Sequence, residues 1–118
     1  MTFDYKSKLE ENKLSSHIGY LSCDIEPAEN TFTALRRVIE QGITFDCITF
    51  EHDKYQSVID IDPAVREYLS NHGYKIAVTD VYRQVKKSIK MFETWFVRDS
   101  LEYTSQTYDQ WRKQIYLE

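Results

Sequence analysis

The chain has 118 residues, which suits one domain with a single core and is too short for two. Hydrophobic residues make up 42% and charged residues 29%, with only 3 Gly and 2 Pro, which excludes a disordered or low-complexity chain. A net charge of −4 gives no attraction to nucleic acid or an anionic membrane, and no apolar run reaches the ~20 residues of a membrane span.

Taken in order, Asp4–Leu14 carries Tyr5 and Leu9 four residues apart among charges, a weakly amphipathic helix. His17–Ile25 (HIGYLSCDI) has apolar residues on both alternating faces, the pattern of a strand covered on both sides. It runs into the acids Asp24, Glu26 and Glu29, interrupted by Pro27. Asn30 or Thr31 can cap a following helix whose Phe32, Leu35, Val38 and Ile39 share one face, ended by Gly42. Phe45–Glu51 (FDCITFE) reads as a second strand that again finishes in acids, Glu51 and Asp53. Asp62 as N-cap and Pro63 at the first helical position open a helix burying Val65, Tyr68 and Leu69, ended by Gly73. Tyr74–Val81 is a third strand and Phe92–Val97 a fourth, joined by the basic stretch Tyr82–Met91. Leu101, Tyr108, Trp111 and Ile115 predict a last helix over Leu101–Leu117.

This order predicts a single α/β domain with core 17–97: a parallel sheet flanked by helices and closed by an antiparallel hairpin. Ligands of such sheets bind beyond the carboxyl ends of the strands, where both acidic clusters fall. Cys23 and Cys47 are too few for a disulfide scaffold, and the charged opening is no signal peptide, so a reducing, cytoplasmic setting is expected.

Residues Tyr20–Glu29 (YLSCDIEPAE) resemble the D-x-E-G-x-E signature of the FkbM family of methyltransferases, with Asp24, Glu26 and Glu29 on its three acids and Pro27 in place of the usual glycine. The likeness continues through Ile48–Glu51 (ITFE), Asn71–Tyr74 (NHGY) and Phe92–Val97 (FETWFV), in the family's order. The resemblance implies a Rossmann-like, S-adenosylmethionine-dependent enzyme that methylates hydroxyl oxygens of sugars or other acceptors. It covers the fourth to seventh strands of a seven-stranded sheet, the acceptor-side half. Family members hold the cofactor in a glycine-rich turn on the first strands. Gly19, Gly42 and Gly73 offer no such G-x-G spacing here.

Methyl transfer to an alcohol needs an aligned acceptor and a group to take the hydroxyl proton. Asp24, Glu26 and Glu51 are the candidate catalytic carboxylates. Asp24, Glu51 and Asp53 form an all-oxygen set suited to Mg²⁺ rather than zinc, as in metal-dependent O-methyltransferases, which place ligands on the corresponding loops. The blander reading pairs these acids with Arg36, Arg37 or Arg66, and gives Glu26 and Glu29 a helix-capping role. His52 is expected in an exposed loop, or as a base or ligand. His17 and His72 read as structural, and the cysteines as small hydrophobes. Arg83, Lys86, Lys87 and Lys90 read as a solvated connection or as a contact for an anionic acceptor such as a sugar phosphate. Trp95, Trp111 and the tyrosines are core residues first and sugar-stacking residues second. A first strand that belongs in mid-sheet leaves an open edge, so a homodimer or a separately encoded cofactor-binding half is the expected partner, with a small hydroxyl-bearing acceptor as substrate. The alternative is a non-catalytic remnant acting as an interaction module.

Overall fold

A computed structural model describes residues 4–12, 15–25, 27–55 and 59–116. Glu26, Leu14 and Leu117 lie outside the described residues, as do the side chains of Tyr5 and Ile115. Helix α1 spans Tyr5–Glu11, where Asp4 caps it by accepting the Ser7 N–H at 3.0 Å. Strand β1 covers His17–Cys23, two residues less than its apolar pattern predicts. The reason is local: both the N–H and the C=O of Ile25 turn onto the Thr31 hydroxyl and leave the ladder. Thr31 is therefore a clasp inside helix α2, which spans Ala28–Glu40 and starts ahead of both expected caps, Asn30 and Thr31. Pro27 stands at its N-cap instead, its carbonyl accepting from Asn30 N–H at 2.9 Å.

Gly42, at φ 85°, ends α2 in the left-handed region, and Gly73, at φ 93°, does the same after helix α3, Asp62–Asn71. Between them runs β2, Thr44–Glu51. Asp62 is the first residue of α3 rather than its cap; the Asp60 carboxylate receives the Asp62 N–H at 3.1 Å. The expected connection Tyr82–Met91 is itself strand: β3, Tyr74–Val85, and β4, Ser88–Arg98, form one long hairpin turning at Lys86, φ 57°. Its outer half is largely exposed, so no buried face imposes the alternation by which strands are recognised. The last helix, α4, begins at Tyr108 and not at Leu101, after a two-residue strand β5, Gln106–Thr107. Thr107 and Gln110 bond reciprocally to each other's backbone N–H, a capping box that fixes this start.

The sheet order is β1-β2-β4-β3-β5. β1 and β2 are parallel, β4 is antiparallel to both β2 and β3, and β5 is parallel to β3. The architecture is thus mixed α/β, with the second arm of the hairpin inserted between β2 and β3. One core packs Phe45, Ile48, Phe50 and Phe96 against Leu35 of α2 and Val65 and Leu69 of α3. A second gathers Ala77, Val78 and Val81 with Trp95 of β4 and with Tyr108 and Trp111 of α4. The double coverage expected of β1 is not found: Cys23 is its one buried residue and Tyr20 is 56% exposed. α4 packs on β3, at the far end of the sheet, and leaves the outer strand covered on one side.

Candidate functional site

Parallel pairing decides where the acids go. Cys23 stands beside Phe50, so the residues that follow, Asp24 and Glu51, end side by side at the carboxyl edge of the sheet. One carboxylate oxygen from each of Asp24, Glu51 and Asp53 lies within 4.8 Å of the others. Asp53 reaches this position through a left-handed backbone, φ 48°, a conformation that Asp tolerates better than most residues. The turn is pinned because Phe92 C=O accepts two N–H groups, from His52 at 2.8 Å and Asp53 at 3.1 Å.

A fourth carboxylate joins from the hairpin. Glu93 of β4 stands opposite Glu51 across the antiparallel ladder, and its Oε1 accepts the Trp95 indole N–H at 2.6 Å. Burial pushes the Glu51 carboxyl up to about 8, helped by its hydrogen bond with Asp24 and by the charges of Asp53, Asp24 and Glu93. Burial likewise raises Glu93, against the pull of the Trp95 hydrogen bond, with Asp24 and Asp53 adding to the rise. Near neutrality Glu51 therefore keeps its proton and shares it with Asp24. The neighbouring Cys23 thiol is pushed up to about 12, first by burial and then by Glu93, which keeps it an inert thiol.

Of the sequence candidates, Asp24, Glu51 and Asp53 are brought together, and Glu26 lies outside the described residues. Glu29 sits in the first turn of α2, where the helix dipole favours a carboxylate. Of the expected arginine partners, Arg36 lies over the Phe32 ring at 4.4 Å and Arg66 pairs with Asp62 at 2.8 Å. Among the described residues neither Asp24 nor Glu51 forms an ion pair with lysine or arginine. His17 holds Thr44 and Asp46, and His72 stacks on Tyr68, both structural as expected.

His52 corrects its expectation of exposure. It is 2% exposed, its Nδ1 accepts from Lys54 N–H at 3.2 Å, and its Nε2 faces Asp62 4.0 Å away. Burial lowers its pKa, outweighing the pull of Asp62, so a neutral imidazole wedges the loop after β2 onto α3. Asp62 ties that wedge together, accepting from Thr94 Oγ1 at 2.9 Å and pairing with Arg66. Asp62→Ala is expected to cost about 2–4 kcal/mol in urea unfolding, because Thr94 loses its buried acceptor and Arg66 its partner. A loss below about 0.5 kcal/mol, the scale of ordinary surface changes, would show that the node is not structural.

Glu93 was not among the sequence candidates, and Trp95 was read only as a core or sugar-stacking residue. The one available signal was an acid between aromatic residues in FETWFV, and only the antiparallel register sets it opposite Glu51. Compared with protein-family models, curated proteins and solved structures, the chain has no significant match.

Proposed function

We propose that the chain is the acceptor-side half of an S-adenosylmethionine-dependent O-methyltransferase, completed by a cofactor-binding segment and acting on a small hydroxyl-bearing acceptor. The observation that carries this reading is the meeting of Asp24, Glu51 and Asp53 where two adjacent parallel strands finish. Two parallel strands followed by an antiparallel hairpin are also what the resemblance to the later strands of FkbM methyltransferases implies. The donor, when bound, supplies an electrophilic methyl group. Within this chain, Glu51 in its ionised form, held beside Asp24, accepts the hydroxyl proton as the acceptor oxygen takes the methyl group and the methyl–sulfur bond breaks, its electron pair staying on the departing sulfur; burial and the charges of Asp53, Asp24 and Glu93 keep the proton affinity of Glu51 high.

The donor set is all oxygen, which fits a hard divalent ion such as Mg²⁺ on Asp24, Glu51 and Asp53. Such an ion lowers the pKa of a bound hydroxyl and orients it. Its binding requires Glu51 to lose its proton and is therefore favoured as pH rises toward 8.

The open edge of β1, with Tyr20 exposed, is where the completing segment or a second copy adds to the sheet. The free cysteines suit a reducing, cytoplasmic setting. The test is calorimetry with S-adenosylmethionine. The chain alone is expected to give no heat, and a mixture with a glycine-rich cofactor-binding half is expected to bind the donor and methylate an alcohol. Micromolar binding by the chain alone would replace the half-enzyme with an autonomous one. A well-formed complex that binds donor and never turns over would leave the non-catalytic interaction module.

A further inference from the structure

The hairpin carries a pairing that the acid cluster does not explain. Residues 81–92 contain Arg83, Lys86, Lys87 and Lys90 and no carboxylate, in a chain of net charge −4. Arg83 and Lys90 are direct cross-strand partners, and like charges placed opposite each other destabilise a sheet. Both cations gather at one ring: the Arg83 guanidinium lies 5.7 Å and the Lys90 ammonium 6.0 Å from the centre of Tyr55. Arg83 is further oriented by a hydrogen bond to the Tyr55 hydroxyl and by the Phe92 ring, 5.0 Å from its carbon. Among the described residues neither cation forms an ion pair. A guanidinium held by one hydrogen bond and two rings keeps further N–H groups to donate.

The location gives this cradle its use. Tyr55 follows Asp53 by two residues in the loop after β2, so the cradle adjoins the turn that carries Asp53. We propose that Arg83, Lys90 and Tyr55 form an anion cradle that binds a phosphate monoester, carried by the soluble acceptor whose hydroxyl is presented to the neighbouring carboxylates. A phosphate relieves the repulsion between the two cations and takes charge-assisted hydrogen bonds from both. The aromatic faces of Tyr55 and Phe92 restrict the guanidinium. The inference rests on the reading of the carboxylates as an acceptor site.

The experiment is an NMR titration of the whole chain, without donor or partner, using glucose 6-phosphate, inorganic phosphate and glucose as probes. Glucose 6-phosphate is expected to shift the Arg83 side-chain N–H and the amides of residues 82–91 saturably, inorganic phosphate more weakly, and glucose not at all. Arg83→Gln and Lys90→Gln are each expected to weaken binding about tenfold or more, and the control Lys86→Gln/Lys87→Gln to leave it within about twofold. Higher salt should weaken it further. Equal shifts at Lys86 and Lys87, or full binding by Arg83→Gln, would overturn the cradle. Binding to phosphatidylcholine vesicles containing phosphatidic acid, without binding of glucose 6-phosphate, would overturn the soluble acceptor. Because no donor is present, failure here leaves the methyl-transfer reading to its own calorimetric test.

Discussion

Glu51→Gln is expected to abolish methyl transfer in the completed enzyme, by about 10²–10⁴-fold, while making the fold more stable above pH 7. Both effects come from one arrangement. Carboxylates from Asp24, Glu51 and Asp53 meet at the ends of β1 and β2 with Glu93 opposite Glu51, and burial, the hydrogen bond with Asp24 and the neighbouring charges lift Glu51 from its ordinary 4.5 to about 8. The native state therefore holds a proton that the unfolded chain releases between those values. Its stabilising effect is fully present below pH 4.5 and is lost as pH rises through 8. Glutamine keeps the shape, can still donate to Asp24 and never ionises, so the variant loses the base without acquiring the charge. Because the Glu51 side chain is partly open to solvent, the gain at pH 8–9 is about 1–2 kcal/mol. Thermal melts of both proteins from pH 5 to 9 check it: the wild type should lose Tm with rising pH more steeply than the variant. Parallel curves would mean that Glu51 titrates as an ordinary carboxylate, and undiminished turnover would place the base elsewhere.

Phe50→Ala is the largest stability loss expected, about 3–5 kcal/mol, enough to consume much of the 5–15 kcal/mol that a domain of this size holds. Phe50 is 0% exposed, sits beside Cys23 and opposite Thr94, and meets the Phe32 ring edge-on at 6.4 Å. Strand β2 is fixed on both sides and the α2 face above is held by Phe32 and Leu35, so collapse into the cavity is limited. A shift in Tm of more than about 10 °C is expected in calorimetry. Tyr20→Ala, at the exposed face of β1, should move Tm by only a few degrees in the isolated chain. A Phe50→Ala variant within about 1 kcal/mol of wild type would show that the core repacks far more readily than its density implies.

What could be read in advance follows from which interactions are local. The strand ends at Asp24 and Glu51 were legible because each closes a run of β-branched and aromatic residues, and two such strands joined by a helix are expected to lie parallel. Glu93 was not, since its position opposite Glu51 depends on β4 crossing back to lie between β2 and β3, which no short-range pattern encodes. His52 was misjudged for a related reason. A histidine between two acids resembles a solvated loop, and the structure instead faces it onto Asp62 of α3, a contact that local sequence does not signal. The helix starts failed by a few residues where side chains bond to backbone, with Thr31 clasping Ile25 and Thr107 pairing with Gln110. The outer hairpin arms escaped because strand periodicity is imposed by a buried face, and Val85 and Ile89 have none.

The Phe92 carbonyl, shared by His52 and Asp53, joins the base of the hairpin to the turn that carries the third carboxylate. That single peptide works as a fulcrum. Through it, displacing the β4 backbone at Phe92 is expected to move Asp53, and with it the spacing of the acids at the sheet edge.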